Sequence, residues 1–132
     1  MASIRREFHV NAPADKVWDA LRDFYALHIR LAPGFTQNTE RDGDARIVTF
    51  GNGMQARETF VSADDAAMRV SYSIDANERV TRHMASATIV PNGAGCTFIW
   101  QADVLPDSAA EMMGPMMDAG GAAMKRHLET LA

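Results

Sequence analysis

Cysteine is nearly absent from this sequence. Cys96 stands alone among 132 residues, so no disulfide can form within the chain, and a reducing cytoplasm is the expected setting. Basic runs are missing as well. Thirteen Lys and Arg against 17 Asp and Glu give a net charge of −4, which argues against nucleic acid as a partner. No apolar run approaches transmembrane length, and the N-terminal "MASIRREFHV" has no apolar leader core, so membrane insertion is not expected. Metal chemistry lacks its ligands: His9, His28, His83 and His127 show no metal-ligand spacing, and no second cysteine supports zinc. Gly51-Asn52-Gly53 lies between strand patterns with no helix following, unlike a phosphate loop. Ser71, Ser73 and Ser86 sit in strand patterns without a nucleophile elbow. No metal and no cofactor is expected.

What remains is an ordinary globular composition, 47% apolar and 23% charged, long enough for one domain spanning residues 1–132 with its own core. "SIRREFHV" alternates, with Ile4, Phe8 and Val10 on one face, and reads as a half-buried strand. "NAPAD" follows, where Asn11 can cap a helix and Pro13 suits its first turn. Val17, Trp18, Leu21 and Phe24 then make one helical stripe, and "YALHIRLA" reads as a second short helix. From Phe35 to Val104 the pattern changes to six strands, broken by "RDGD", "GNG", "SADDA", "DANE" and "PNGAG". Short connections of this kind predict an antiparallel meander.

The last element is a long amphipathic helix with a capping box, Ser108 with Glu111, at its start. Met113, Met117, Gly120, Met124, Leu128 and Leu131 fall on one stripe, with Met116 beside it. Pro115 removes one helical hydrogen bond and predicts a bend or loose turn. The predicted class is α+β, a curved seven-stranded antiparallel sheet wrapped around the C-terminal helix, with two short helices after the first strand. Such a wrap leaves a hollow. Methionine suits a lining whose contents vary, and the paired glycines Gly120 and Gly121 leave volume on the facing stripe. Tight packing of an ordinary core is the competing account of the same stripe.

That order of elements, with "APADKVWDALRDF" at 12–24, "GDARIVTFGNGMQARETFVSADD" at 43–65 and "GCTFIW" at 95–100, resembles the START-like (SRPBCC, helix-grip) superfamily. The nearest group is that of polyketide cyclase/dehydrase-like proteins, with plant abscisic-acid receptors more distant. The resemblance implies a cavity between sheet and long helix that takes a hydrophobic small molecule. "GNGMQA" at 51–56 matches the receptors' gate loop in place but not in sequence, and "ERV" at 78–80 keeps only Arg79 of the latch. A hormone-receptor role is therefore not implied.

By the same resemblance Glu58 aligns with a pocket glutamate and His83 with a pocket tyrosine. Alternation puts Glu58 on the face of Met54, Ala56 and Phe60, where burial disfavours its charged form unless an arginine such as Arg46 pairs with it. Alternation also groups His83 with Ala85, Ala87 and Ile89; a one-residue slip would turn Arg82 inward instead. Tyr72, grouped with Val70 and Ile74, offers a pocket hydroxyl, and Cys96, Phe98 and Trp100 form the inward row of the last strand. The candidate ligand-binding set is Glu58, Phe60, Tyr72, His83, Ala85, Phe98, Trp100, Met113, Met116, Met117 and Gly120. Two functions follow. The first is binding of a lipid, polyketide-like or aromatic molecule. The alternative is a cyclase, aromatase or dehydrase in which Glu58 or His83 moves protons and Tyr72 holds an oxyanion. The partner in both is a hydrophobic small molecule, and homodimerisation is left open.

Overall fold

Alternation in β1 (Ala2–Val10) is realised as expected: Ile4 and Val10 are buried while Arg5, Glu7 and His9 are exposed. The computed structural model describes residues 1–132. Arg6 shares the inner face of β1, and its guanidinium bonds Asp118 of the C-terminal helix at 2.5 Å, tying strand to helix. After β1 come α1 (Ala14–Arg22), a 3-10 turn (Phe24–Ala26) and the short α2 (Leu27–Arg30). The stripe Val17, Trp18, Leu21 and Phe24 is buried throughout. Asn11 does not cap α1. Pro13 precedes the helix in extended conformation, and its own carbonyl accepts from the N–H groups of Lys16 and Val17. Asn11 instead bonds His9 through its side chain and Glu129 through its N–H.

Six strands follow: β2 (Thr36–Asp42), β3 (Ala45–Phe50), β4 (Gln55–Asp64), β5 (Arg69–Ile74), β6 (Arg82–Asn92) and β7 (Gly95–Leu105). All pair antiparallel in one seven-stranded sheet of order β1-β7-β6-β5-β4-β3-β2. Since β1 and β2 lie at opposite edges, α1 and α2 carry the chain across the width of the sheet. Exposed Glu40, Arg41 and Asp42 keep the β2 edge from pairing with another chain. At the other edge Phe8 faces Phe98 in register, and the two rings stack at 4.8 Å.

The long helix is α3 (Ala109–Leu128), and Pro115 lies inside it without ending it. The expected capping box does not form. Ser108 is already helical (φ −62°, ψ −20°), whereas a capping side chain needs an extended backbone to reach forward. The first N–H groups bond back three residues, Ala109 to Pro106, Ala110 to Asp107 and Glu111 to Ser108. At Gly120 and Gly121 the structure follows the tight-packing account rather than the open-volume one. They leave no open volume, because aromatic rings occupy the space a side chain would take. A Cβ on Gly120 would stand 3.0 Å from Phe35 and 3.2 Å from Trp100, and one on Gly121 would stand 3.2 Å from Phe8. The glycines let the sheet's aromatics approach the helix backbone.

A cavity under the long helix

β3 and β4 place Arg46 directly opposite Glu58, both pointing into the sheet's concave face and both buried. Two nitrogens of Arg46 reach Glu58 Oε1, Nε at 2.8 Å and Nη2 at 2.7 Å. Nη1 of Arg46 donates to the Phe24 carbonyl at 2.8 Å, and the guanidinium lies over the Phe24 ring at 3.8 Å. The arginine that alternation offers as one partner for Glu58 is therefore a cavity residue in its own right. Glu58 is an ion-paired carboxylate, not an isolated one.

Tyr72 stands on the neighbouring strand, its hydroxyl accepting from Trp100 Nε1 at 3.0 Å. Burial first, and then the Glu58 charge, push the phenol far above its ordinary value, so it stays protonated; Arg46 and the Trp100 bond oppose this more weakly. The β5–β6 ladder closes at Tyr72 opposite Ala85. Beyond that point His83 replaces the missing backbone pairing: the Ile74 N–H donates to His83 Nδ1 at 2.9 Å, and the Ser73 hydroxyl donates to the His83 carbonyl. With Nδ1 an acceptor, the neutral ring carries its proton on Nε2. Burial lowers the imidazole to about 4, against the raising charge of Asp103, so His83 is neutral at physiological pH.

These groups line one end of a cavity of about 80 Å³, bounded by 22 residues of which 18 are hydrophobic. The rest of its wall comes from Leu21, Leu27, Leu31, Phe35 and Phe50, with Phe24 standing against Arg46, and its roof from Met113, Met116, Met117 and Met124. A wider space of about 440 Å³ adjoins it, between the β3–β4 turn, the β5–β6 loop and the start of α3. There the Arg79 guanidinium meets the Met54 sulfur at 3.5 Å, a light contact across the mouth. Pockets for drug-sized molecules run to ~300–1,000 Å³. The inner chamber therefore holds about one ring, and anything larger extends into the mouth or displaces side chains.

Of the eleven residues put forward from the sequence, Glu58, Tyr72, His83, Phe98, Trp100, Met113, Met116 and Met117 line this cavity. Phe60, Ala85 and Gly120 do not. The Phe60 ring packs edge-on against Phe24 at 5.4 Å, Ala85 is buried across the ladder from Tyr72, and Gly120 lies against the rings of Phe35 and Trp100. Cys96 is inward but lies outside the lining, and burial pushes its thiol up. His83, not Arg82, turns inward; Arg82 is exposed. The sequence reading missed Arg46 as a lining residue and missed Phe35. The signal for Arg46 was present: period two places it with Val48 and Phe50, not with Ala45 and Ile47.

Phe35 is the part of the wall that packs against α3. Its ring fits the Gly120 notch and meets Phe50 at 5.5 Å, edge-on. Its carbonyl takes the Gly51 N–H at 2.9 Å, and a Cβ on Gly51 would stand 2.7 Å from the Gly34 oxygen, so the β3–β4 turn and this loop are fastened together. Phe35→Ala should enlarge the chamber. It is expected to cost about 2 kcal/mol, less than a fully buried Phe→Ala because the ring is only half-buried. Uptake of a fluorescent apolar probe should rise at the same time. Unchanged uptake would show that Phe35 does not limit the space.

Sheet, gripping helix and cavity define a helix-grip protein of the START-like class. The chain belongs to the family described as polyketide cyclase / dehydrase and lipid transport, whose profile matches residues 1–130. No curated protein matches the sequence. Among solved structures, an uncharacterised protein from Bacillus thuringiensis is similar at 14% identity and TM-score 0.85, over 96% of this chain and 98% of that one. A protein from Thermobifida fusca has 29% identity and TM-score 0.77, over 98% and 91%. Norcoclaurine synthase from Thalictrum flavum, solved with dopamine and hydroxybenzaldehyde, has 22% identity and TM-score 0.71, over 98% and 85%.

Proposed function

We propose that this protein binds a hydrophobic small molecule in the cavity between sheet and α3. The observation that carries the reading is the lining: 18 residues of 22 are hydrophobic, Tyr72 among them, and the other four are Thr36, Arg46, Glu58 and His83. Such a site gains affinity from apolar burial at ~25 cal/mol per Å² and orientation from its few polar groups. The methionines of α3 supply a roof that can reshape around a molecule larger than the inner chamber. The buried free thiol of Cys96 suits a reducing compartment and supports a cytoplasmic location.

The cyclase or dehydrase reading draws on Glu58, Tyr72 and His83 sharing one cavity. It ranks second for a chemical reason. Glu58 is held by Arg46, Tyr72 is too weak an acid to lose its proton, and an imidazole at about 4 is a poor base near neutrality. Native mass spectrometry of the purified protein tests the first reading, with identification of whatever denaturation releases. A co-purifying apolar molecule, or uptake of a fluorescent apolar probe, is expected. A protein that arrives empty and takes up no probe would mean the methionines and Phe35 simply fill their own space. Turnover of a bound polyketide-like compound that is lost in His83→Gln would promote the enzymatic reading.

A further inference from the structure

We propose that the molecule this cavity accepts is electrically neutral and carries a hydroxyl group, a phenol or an alcohol, and that the cavity rejects both carboxylates and amines. This rests on the binding reading above and specifies its ligand. Arg46 is the cavity's one cation, and it is committed to Glu58 Oε1, to the Phe24 carbonyl and to the face of the Phe24 ring. Glu58 cancels its charge. A carboxylate entering here meets a carboxylate whose counter-ion is already shared, and an ammonium meets a guanidinium in the same position. Either adds an uncompensated charge to a largely apolar space.

A hydroxyl meets neither obstacle. Glu58 Oε2 accepts no hydrogen bond within the protein, although the residue is only 6% exposed. Tyr72 accepts from Trp100, and its own O–H hydrogen has no acceptor within the protein. The His83 ring uses Nδ1 on the Ile74 N–H and has no partner at Nε2. The polar end therefore offers one open acceptor, the Tyr72 and His83 donors and the two Arg46 N–H hydrogens that neither Glu58 nor the Phe24 carbonyl takes, with no net charge. A hydroxyl, both donor and acceptor, complements that set. A carboxylate oxygen without a donor, on a buried residue but with its own contact to open space, is the group whose satisfaction discriminates most sharply between ligands.

Single-ring probes fit the size of the inner chamber and isolate the polar group. NMR titration of the whole protein at neutral pH would compare toluene, 4-methylphenol, benzoate and benzylamine. The expected order is 4-methylphenol tightest, at least tenfold tighter than benzoate or benzylamine and several-fold tighter than toluene. Glu58→Gln leaves Arg46 as a free cation, so benzoate should gain about tenfold and overtake 4-methylphenol. Should that variant not fold, the wild-type order alone decides. Benzoate or benzylamine binding as tightly as 4-methylphenol would overturn the inference while leaving the binding function standing. If no probe, toluene included, shifts resonances of the cavity residues, the binding reading itself fails and takes this inference with it.

Discussion

Arg46→Met should destabilise the protein by about 3–5 kcal/mol, the range seen when one partner of a buried ion pair is removed. The side chains of Arg46 and Glu58 are both only 7% exposed, so the carboxylate left behind cannot recover its hydration. The loss is wider than one charge pair. Arg46 also satisfies the Phe24 carbonyl and stacks on the Phe24 ring, joining the turn before α2 to β3, next to the β2 edge of the sheet. Methionine keeps most of the apolar volume, so the cost reports the stranded carboxylate and carbonyl more than a void. The double variant Arg46→Met with Glu58→Leu should regain most of the loss, because replacing a buried pair by apolar groups is often close to neutral. Urea denaturation of the two variants and the wild type measures both numbers. A single variant within 1 kcal/mol of wild type would mean that Glu58 reaches water despite its burial.

That pair also marks where the sequence stopped being legible. Strand order, helix order and the inward faces of β5, β6 and β7 all follow from alternation and turn chemistry, because period two is a local property. Facing residues across strands are not local. Arg46 and Glu58 meet through the β3–β4 register, twelve positions apart, and alternation in "ARIVTF" marks only the face. Phe35 was harder still. It lies in a loop, and what gives it meaning is the notch at Gly120, 85 positions later, so neither residue signals the other. The Gly120-Gly121 pair fits a gap or a close contact equally well in sequence, because a missing side chain is visible there and the ring that fills its place is not. The capping box failed in the reverse direction. Its residues were right, but the turn from Pro106 to Ser108 already has helical curvature, and the backbone satisfies its own N–H groups.

His83 should make stability depend on pH in a window set by its own shift. Folding lowers the imidazole from an ordinary value near 6.5 to about 4, so between these values the unfolded chain binds a proton that the native protein does not. The stabilisation is fully present above pH ~6.5 and is lost as pH falls toward 4, at about 1.4 kcal/mol per pH unit, or about 3 kcal/mol in all. The geometry gives the reason. A protonated imidazole has no lone pair at Nδ1, so the Ile74 N–H would lose its acceptor where the β5–β6 ladder has already ended. Asp103 favours the charged form but does not offset burial. Urea unfolding at pH 7.5, 6 and 5 would compare wild type with His83→Gln, whose amide oxygen can accept from the same N–H without titrating. Wild type should lose about 2 kcal/mol more than the variant between pH 7.5 and 5. Parallel slopes would mean that His83 keeps access to water in the folded state, and the neutral imidazole assigned to the cavity's polar end would have to be abandoned.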